Sequence, residues 1–266
     1  MKKHIPNFIT SLNLFCGCIA IALAFAGYQF LWISSLFIIL AAVFDFLDGL
    51  AARLLKAYSE IGKQLDSLAD MVSFGVAPSV IAFQVMNIAI GKEDIFNPNS
   101  HIYVLVNKIQ AVNYYLTYRP IDYAFTLPAF LIAVFSALRL AKFNIDTRQT
   151  TSFIGVPTPA NALFFASMPL ILHFGQTGLL VDIILNPVIL LCLIIVFSLL
   201  LVSEIPLFSL KMKSLKWADN KTRFIFLGLS IILLAILTYK AIPFIIILYI
   251  LSSIVSNLLC KKHKTA

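Results

Sequence analysis

The sequence predicts an all-α integral membrane protein, a polytopic bundle of about eight transmembrane helices built as a single domain over residues 1–266. Three observations predict it. Hydrophobic residues make up 61% of the chain and mean hydropathy is +0.95, far from the balance of a soluble domain. Eight apolar stretches, about 9–27, 30–55, 64–90, 121–143, 157–175, 178–204, 222–240 and 242–260, approach or exceed the length that crosses a bilayer as a helix. In lipid, helix is the conformation that satisfies every backbone group within one segment. Positive charge is also one-sided. With the N-terminus in the cytoplasm and the spans alternating, 16 of the 20 Lys and Arg face the cytoplasm, and 4 (Lys92, Lys108, Arg119 and Lys240) face the other side. That meets the positive-inside rule and places both termini on the cytoplasmic side of the cell membrane. The net charge of +8 is accounted for in this way and needs no nucleic-acid partner.

The first span follows Lys2 and Lys3 and contains Ala24-Phe25-Ala26, features shared with a cleaved signal peptide. The polar residues just before it make an uncleaved helix the expectation. Asn7, Thr10 and Asn13 are three apart and share one helix face. Helix capping would use Asn and Thr there equally well. Cys16, Cys18, Cys192 and Cys260 lie in or beside apolar runs and are expected as small buried hydrophobes. The Cys16-Gly17-Cys18 spacing suits neither a disulfide nor a metal site.

Spans two and three carry the informative chemistry. Asp45 and Asp48 share one helix face, and Asp66 and Asp70 share another. The polar stretch from Lys56 to Lys63 can reverse the chain, so two helices would each point two acids at the other. A carboxylate within a membrane helix costs about 2.5 kcal/mol or more, which makes such residues functional candidates by default. Hard oxygen donors, with no His or Cys among them, suit Mg²⁺, Mn²⁺ or Ca²⁺. Gly49 and Ala52 keep the region free of bulk, and Arg53 is placed to meet an anion. A structural pair of acids neutralised by Lys or Arg has only Arg53 at helical spacing. A cation transporter would favour symmetric repeats or broken helices, which the sequence lacks. An intramembrane aspartyl protease would need two acids, not four.

Further along, Ser73 and Gly75 form a small face suited to close helix packing. Residues 91–120 form an outer loop in which Tyr103 to Tyr118 suits an interfacial helix, with Tyr114, Tyr115 and Tyr118 at headgroup level. His101 and His173 read as ordinary polar residues. Arg139 and Lys142 end the fourth span on one face, where they can snorkel or hold a carboxylate or phosphate. Gly155, Pro157 and Pro159 make the next loop narrow and rigid. Lys211, Lys213, Lys216 and Trp217, like the tail from Lys261, suit contact with anionic headgroups.

Taken in order, Asp45-x-x-Asp48-Gly49-x-x-Ala52-Arg53 followed by Gly62-x-x-x-Asp66-x-x-x-Asp70 resembles the signature of the CDP-alcohol phosphatidyltransferases, with every position filled. The stretch Pro6-Asn7 to Thr10 is similar to the family segment that contacts the cytidine nucleotide. The runs Asp70 to Pro78, Arg139 to Asn144 and Gly155 to Pro159 are similar to its serine-transferring branch, except that Lys142 stands where a second Arg is usual. Charge is kept there, but the planar fork is lost.

The resemblance spans residues 5–161 and implies a function. The chain would transfer a phosphatidyl group from CDP-diacylglycerol to L-serine, giving phosphatidylserine and CMP. The alternative is another acceptor alcohol, such as glycerol 3-phosphate, inositol phosphate or choline. Mg²⁺ or Mn²⁺ at a two-metal site would be held by Asp45, Asp48 and Asp66, with Asp70 sharing, and Asp70 would be the general base. The nucleotide would meet Asn7, Thr10, Gly49, Ala52, Arg53 and Gly62. Arg139, Lys142, Asn144, Gly155 and Pro157 would meet the acceptor or the lipid phosphate. Partners would be CDP-diacylglycerol, L-serine, membrane lipids and a second copy in a homodimer. The motif-bearing core covers about 5–204, and a helix pair at about 222–260 lies beyond it.

Overall fold

The computed structural model describes residues 4–91, 124–145, 153–175, 177–208 and 217–262. The expectations for His101, the interfacial helix up to Tyr118, the basic residues Lys211 to Lys216 and the tail beyond Lys262 fall outside these residues. Helix α1 (Ile5–Ala26) has Pro6 in its first turn, where a missing N–H costs nothing. A 3₁₀ turn at Tyr28–Phe30 leads into α2 (Leu31–Leu54). Helix α3 (Glu60–Asp70) runs through a π-helical segment (Met71–Val76) into α4 (Ala77–Ile90) without leaving the helical region. Next come α5 (Leu131–Ile145), strand β1 (Phe153–Ile154), α6 (Thr158–Phe174), the short α7 (Leu179–Ile184) and α8 (Pro187–Val202). Strand β2 (Pro206–Leu207) pairs antiparallel with β1, and α9 (Trp217–Leu237) and α10 (Ala241–Lys262) finish the chain.

This is an all-α membrane protein. Five helical stretches are long and apolar enough to cross a membrane: Ile5–Ala26, Tyr28–Leu54, Glu60–Ile90, Ala124–Ile145 and Asn220–Asn257. The last runs through most of α9 and α10 with a 3₁₀ turn at Thr238–Lys240 between them. Helices α6 and α8, of 17 and 16 residues, are shorter than a full span. Among the described residues, five stretches rather than eight therefore meet the length and hydropathy of a crossing.

Helix α1 packs along α2, α3, the π segment and α4. Its inward face is a ridge of small side chains: Thr10, Asn13, Cys16, Gly17, Ala20 and Ala24. Without a hydrophobic driving force between helices in lipid, close approach and interhelical hydrogen bonds hold such a bundle. Both are present. A Cβ on Gly17 would lie 2.8 Å from the Ser73 Cα, so only glycine lets α1 sit this close to the π segment. Ser34, Ser73 and Gln84 donate to the α1 carbonyls of Ala20, Asn13 and Ala24 at 2.7, 2.9 and 3.1 Å. Each such bond contributes about 0.6 kcal/mol on average in a membrane bundle. The small face at Ser73 and Gly75 is therefore used twice, since a Cβ on Gly75 would lie 3.1 Å from Ser136 Cβ on α5.

The cysteines divide. Cys16 is buried, but Cys18 and Cys192 are exposed on the outsides of α1 and α8. Their helix phase turns them away from the core, which corrects the expectation that all are buried. His173 stacks on Trp32, with ring centroids 4.7 Å apart.

Candidate active site

The site is assembled where α2 ends, α3 begins and α1 starts. The turn between α2 and α3 closes tightly: Leu55 N–H bonds the Ala51 carbonyl at 2.9 Å and Ala57 N–H bonds the Ala52 carbonyl at 3.0 Å. Lys56 takes a left-handed conformation, φ 50°, a conformation that costs a non-glycine residue roughly 1–2 kcal/mol. Ser59 then caps α3, its hydroxyl accepting from the Gly62 N–H at 3.0 Å. This reversal sets the acid face of α3 against that of α2.

Three acids converge. Carboxylate oxygens of Asp45, Asp48 and Asp66 all lie within 4.8 Å of one another. Asp48 is buried, and Asp45 and Asp66 are half-buried. The Thr10 hydroxyl on α1 lies 2.7 Å from Asp48 Oδ2. Asp70 stands outside this trio, one turn deeper, where Asn13 Nδ2 donates to its Oδ1 at 3.3 Å. Asn13 itself is anchored by the Ser73 hydroxyl, which donates to its carbonyl. Among the described residues, the hydrogen-bond partners of the four acids are thus Thr10 and Asn13, and neither is a cation.

The donor set fits a hard divalent ion. Carboxylates on opposite sides of such an ion, at oxygen distances of about 2.0–2.6 Å, bring their oxygens within the spacing seen here. A further hard oxygen, the buried Asn13 Oδ1, has no hydrogen-bond partner. Residues Asp45, Asp48 and Asp66 would hold the ion. Asp70, tied at one oxygen by Asn13, keeps its other oxygen for a different task.

Above the acids opens a pocket of about 210 Å³. Asn7, Thr10, Gly49, Ala52, Gly62 and Lys63 line it, with Tyr58 at its edge and Asp48 and Asp66 among its walls. Gly49 opens onto free space, since the nearest atom to an added Cβ is the mobile Arg53 Nη2 at 3.9 Å. Gly62 is different. A Cβ there would lie 2.8 Å from Asn7 Oδ1 and 2.9 Å from Ser59 Oγ. The space it keeps is already occupied by two side chains that shape the pocket.

The remaining sequence candidates fall elsewhere. Arg53 is exposed and folds back on its own helix, its Nε donating to the Gly49 carbonyl at 2.8 Å. Arg139 is buried at 7% exposure, whereas Lys142, one turn later and near the helix end, is exposed. Asn144 Nδ2 donates to Ser67 Oγ at 2.9 Å, pinning α5 to the helix of Asp66. Gly155 has φ +75°, and a Cβ there would lie 2.5 Å from the Leu201 carbonyl oxygen. Its N–H bonds the Ile205 carbonyl at 3.0 Å, and Pro157 leads directly into α6. Both residues shape a turn.

Sequence reasoning missed Tyr58, Ser59 and Lys63 in the pocket, Ser67 under Asn144, and Asn161. Ser59 carries the only local signal, a capping residue three before Gly62.

Known proteins resemble this chain over the same region. A family model described as CDP-alcohol phosphatidyltransferase matches residues 3–200. The CDP-diacylglycerol–serine O-phosphatidyltransferase of Bacillus subtilis is 34% identical over 182 residues, covering 66% of this chain and 84% of that protein. The protein of the same name from Helicobacter pylori is 34% identical over 160 residues, and the match spans only about half, 54%, of its length. That of Saccharomyces cerevisiae is 44% identical over 88 residues, 31% of this chain and 32% of that one.

Proposed function

The chain belongs to the CDP-alcohol phosphatidyltransferase family, and on that premise we propose that it transfers the phosphatidyl group of CDP-diacylglycerol to L-serine, releasing CMP. One observation carries the reading: three acids converge within 4.8 Å while a fourth stands apart, held at one oxygen. That is a division between holding a cation and moving a proton. The names of the matched relatives supply serine as the acceptor.

The serine hydroxyl attacks the phosphorus that bears the diacylglycerol. A new P–O bond forms to serine, the P–O bond to the bridging oxygen breaks, and CMP leaves. Asp70 takes the hydroxyl proton, as a general base within hydrogen-bond reach does. Asn13 holds that carboxylate in orientation. A Mg²⁺ or Mn²⁺ pair on Asp45, Asp48, Asp66 and a shared Asp70 supplies charge neutralisation at the pyrophosphate. Thr10 fixes the rotamer of Asp48, and the pocket at Asn7, Gly49, Ala52 and Gly62 receives the cytidine end. Arg53 flanks that pocket and is free to swing toward a phosphate. Arg139, Asn144, Gly155 and Pro157 build the acceptor side. Lys142 belongs instead to the outer rim, where it meets lipid phosphate.

The whole chain acts as one domain in the cell membrane, with the site and both termini on the cytoplasmic side and two copies forming a homodimer. The motif-bearing core is 5–204, and α9 and α10 are an addition to it. The test uses purified protein in detergent with Mg²⁺ or Mn²⁺, CDP-diacylglycerol, and labelled serine against glycerol 3-phosphate, inositol phosphate and choline. Label entering lipid from serine alone, and lost with Asp70→Asn, is the expected result. Transfer to a different alcohol would keep the chemistry and change the acceptor. Absence of CMP release in folded protein that still binds Mn²⁺ would overturn the transferase and favour cation transport.

A further inference from the structure

Buried polar atoms in folded proteins nearly always have partners. Here five that lack one lie on three helices behind Asp70: Ser136 Oγ, Arg139 Nε, both side-chain heteroatoms of Asn161, and Ser198 Oγ. Ser136 and Asn161 have no exposure, and Ser198 has 1%. Ser136 and Arg139 are three apart on α5, and Ser136 sits against Gly75 of the π segment that follows Asp70. The groups whose charge reaches the Arg139 guanidinium are Asp70 and Tyr249. Asn161 is in the first turn of α6, and the loop before it is tied to the end of α8 by Val156 N–H on the Leu200 carbonyl. Tyr249 donates to the Phe208 carbonyl just beyond β2, closing the same level of the bundle.

We infer that Arg139 and Asn161, with Ser136, form a recognition subsite for the α-carboxylate and α-ammonium of an amino-acid acceptor. This rests on the proposed function and goes beyond it by naming what discriminates serine from other alcohols. The chemistry fits part by part. A guanidinium binds a carboxylate through paired N–H donors. The carboxamide of Asn161 offers an acceptor to the ammonium and a donor to the carboxylate. Asp70 lies on the side where the hydroxyl must be to lose its proton. An apolar enclosure strengthens each of these bonds. Choline and glycerol 3-phosphate lack the carboxylate, so they leave Arg139 without its partner, which is how a site rejects an analogue.

The variants Asn161→Leu and Arg139→Gln in the full-length protein test this, with KM for L-serine, KM for CDP-diacylglycerol and thermal stability as readouts. Asn161→Leu replaces unpartnered polar atoms with an apolar group of similar size, so it is expected to be as stable as the parent or more so. Its KM for serine should rise roughly tenfold or more while KM for CDP-diacylglycerol stays put, the loss tenfold-per-contact arithmetic gives for a charge-assisted bond. Arg139→Gln should narrow the preference for serine over ethanolamine, which has the ammonium but no carboxylate. Asn161→Leu should narrow the preference for serine over 3-hydroxypropanoate, which has the carboxylate but no ammonium. A lower melting temperature with unchanged serine KM would overturn the subsite and make Asn161 structural. Equal rises in both KM values would also overturn it. A parent protein that uses CDP-diacylglycerol but not serine would overturn the proposed acceptor and this subsite together, whereas an active parent with indifferent variants removes the subsite alone.

Discussion

The helix that bears Asp66 and Asp70 and the pair that closes the chain are built by opposite rules. In the span Glu60–Ile90, 67% of the apolar window is buried inside the protein, while in Asn220–Asn257 the share is 11%. The first is wrapped by α1, α5 and α6 and carries Asp66, Asp70, Ser73 and Gly75 among its inward residues. The second turns Ile231, Ile236 and Leu251 outward, where a bilayer accepts them without any cost in water. Both are apolar by composition. What separates them is that polar groups in the first have defined partners across helix boundaries, so substitutions there disturb a network. Along α9, most exposed substitutions disturb nothing.

The sharpest way to break this contrast is Asp70→Asn. Removing the proton acceptor should lower kcat by roughly 10²- to 10⁴-fold, with CDP-diacylglycerol binding retained, as measured by single-turnover CMP release and nucleotide binding. Next is Thr10→Val, which takes the donor from a buried carboxylate. Leaving such a group unpartnered costs about 1–3 kcal/mol, and the expected outcome is weaker Mn²⁺ binding by calorimetry. Gly62→Ala brings a methyl against Asn7 and Ser59. Overpacking of about 1–3 kcal/mol should raise KM for CDP-diacylglycerol, and Asn7→Ala in the same chain should relieve it. Ser59→Ala removes the cap on α3 at a cost of about 1 kcal/mol, readable as a lower melting temperature. At the other end of the scale, Ile231→Ala, at 66% exposure, should change stability by no more than about 0.5 kcal/mol and leave activity intact.

Much of the acidic site is legible in the sequence because carboxylates in apolar runs are anomalous and their spacing declares a shared face. Asp45, Asp48 and Asp66 do converge. The sequence shows less well what the neighbours do. Gly62 reads as room for a ligand, but the atoms that need the room belong to Asn7, on another helix, and to Ser59. Arg139 and Lys142 read as a matched pair, yet the helix ends three residues after Lys142, which leaves that ammonium outside while Arg139 is enclosed. Asn161 sits in a run of prolines and small residues and gives no periodic signal. Its significance depends on having no partner, which is a property of the packed bundle and not of the chain.

The π segment from Met71 to Val76 carries a consequence of its own. Ala77 N–H bonds the Val72 carbonyl, five residues back, so the helix holds an extra residue in one turn between its acidic half and its buried half. Each residue of an α-helix advances the side-chain direction by about 100°. Deleting any one residue of that turn would keep both halves helical yet dial Asp66 and Asp70 out of phase with Val80 and Ile81 in the core. The catalytic face is thus timed against the packing face, and the stretch behaves as a vernier whose setting is a count of residues.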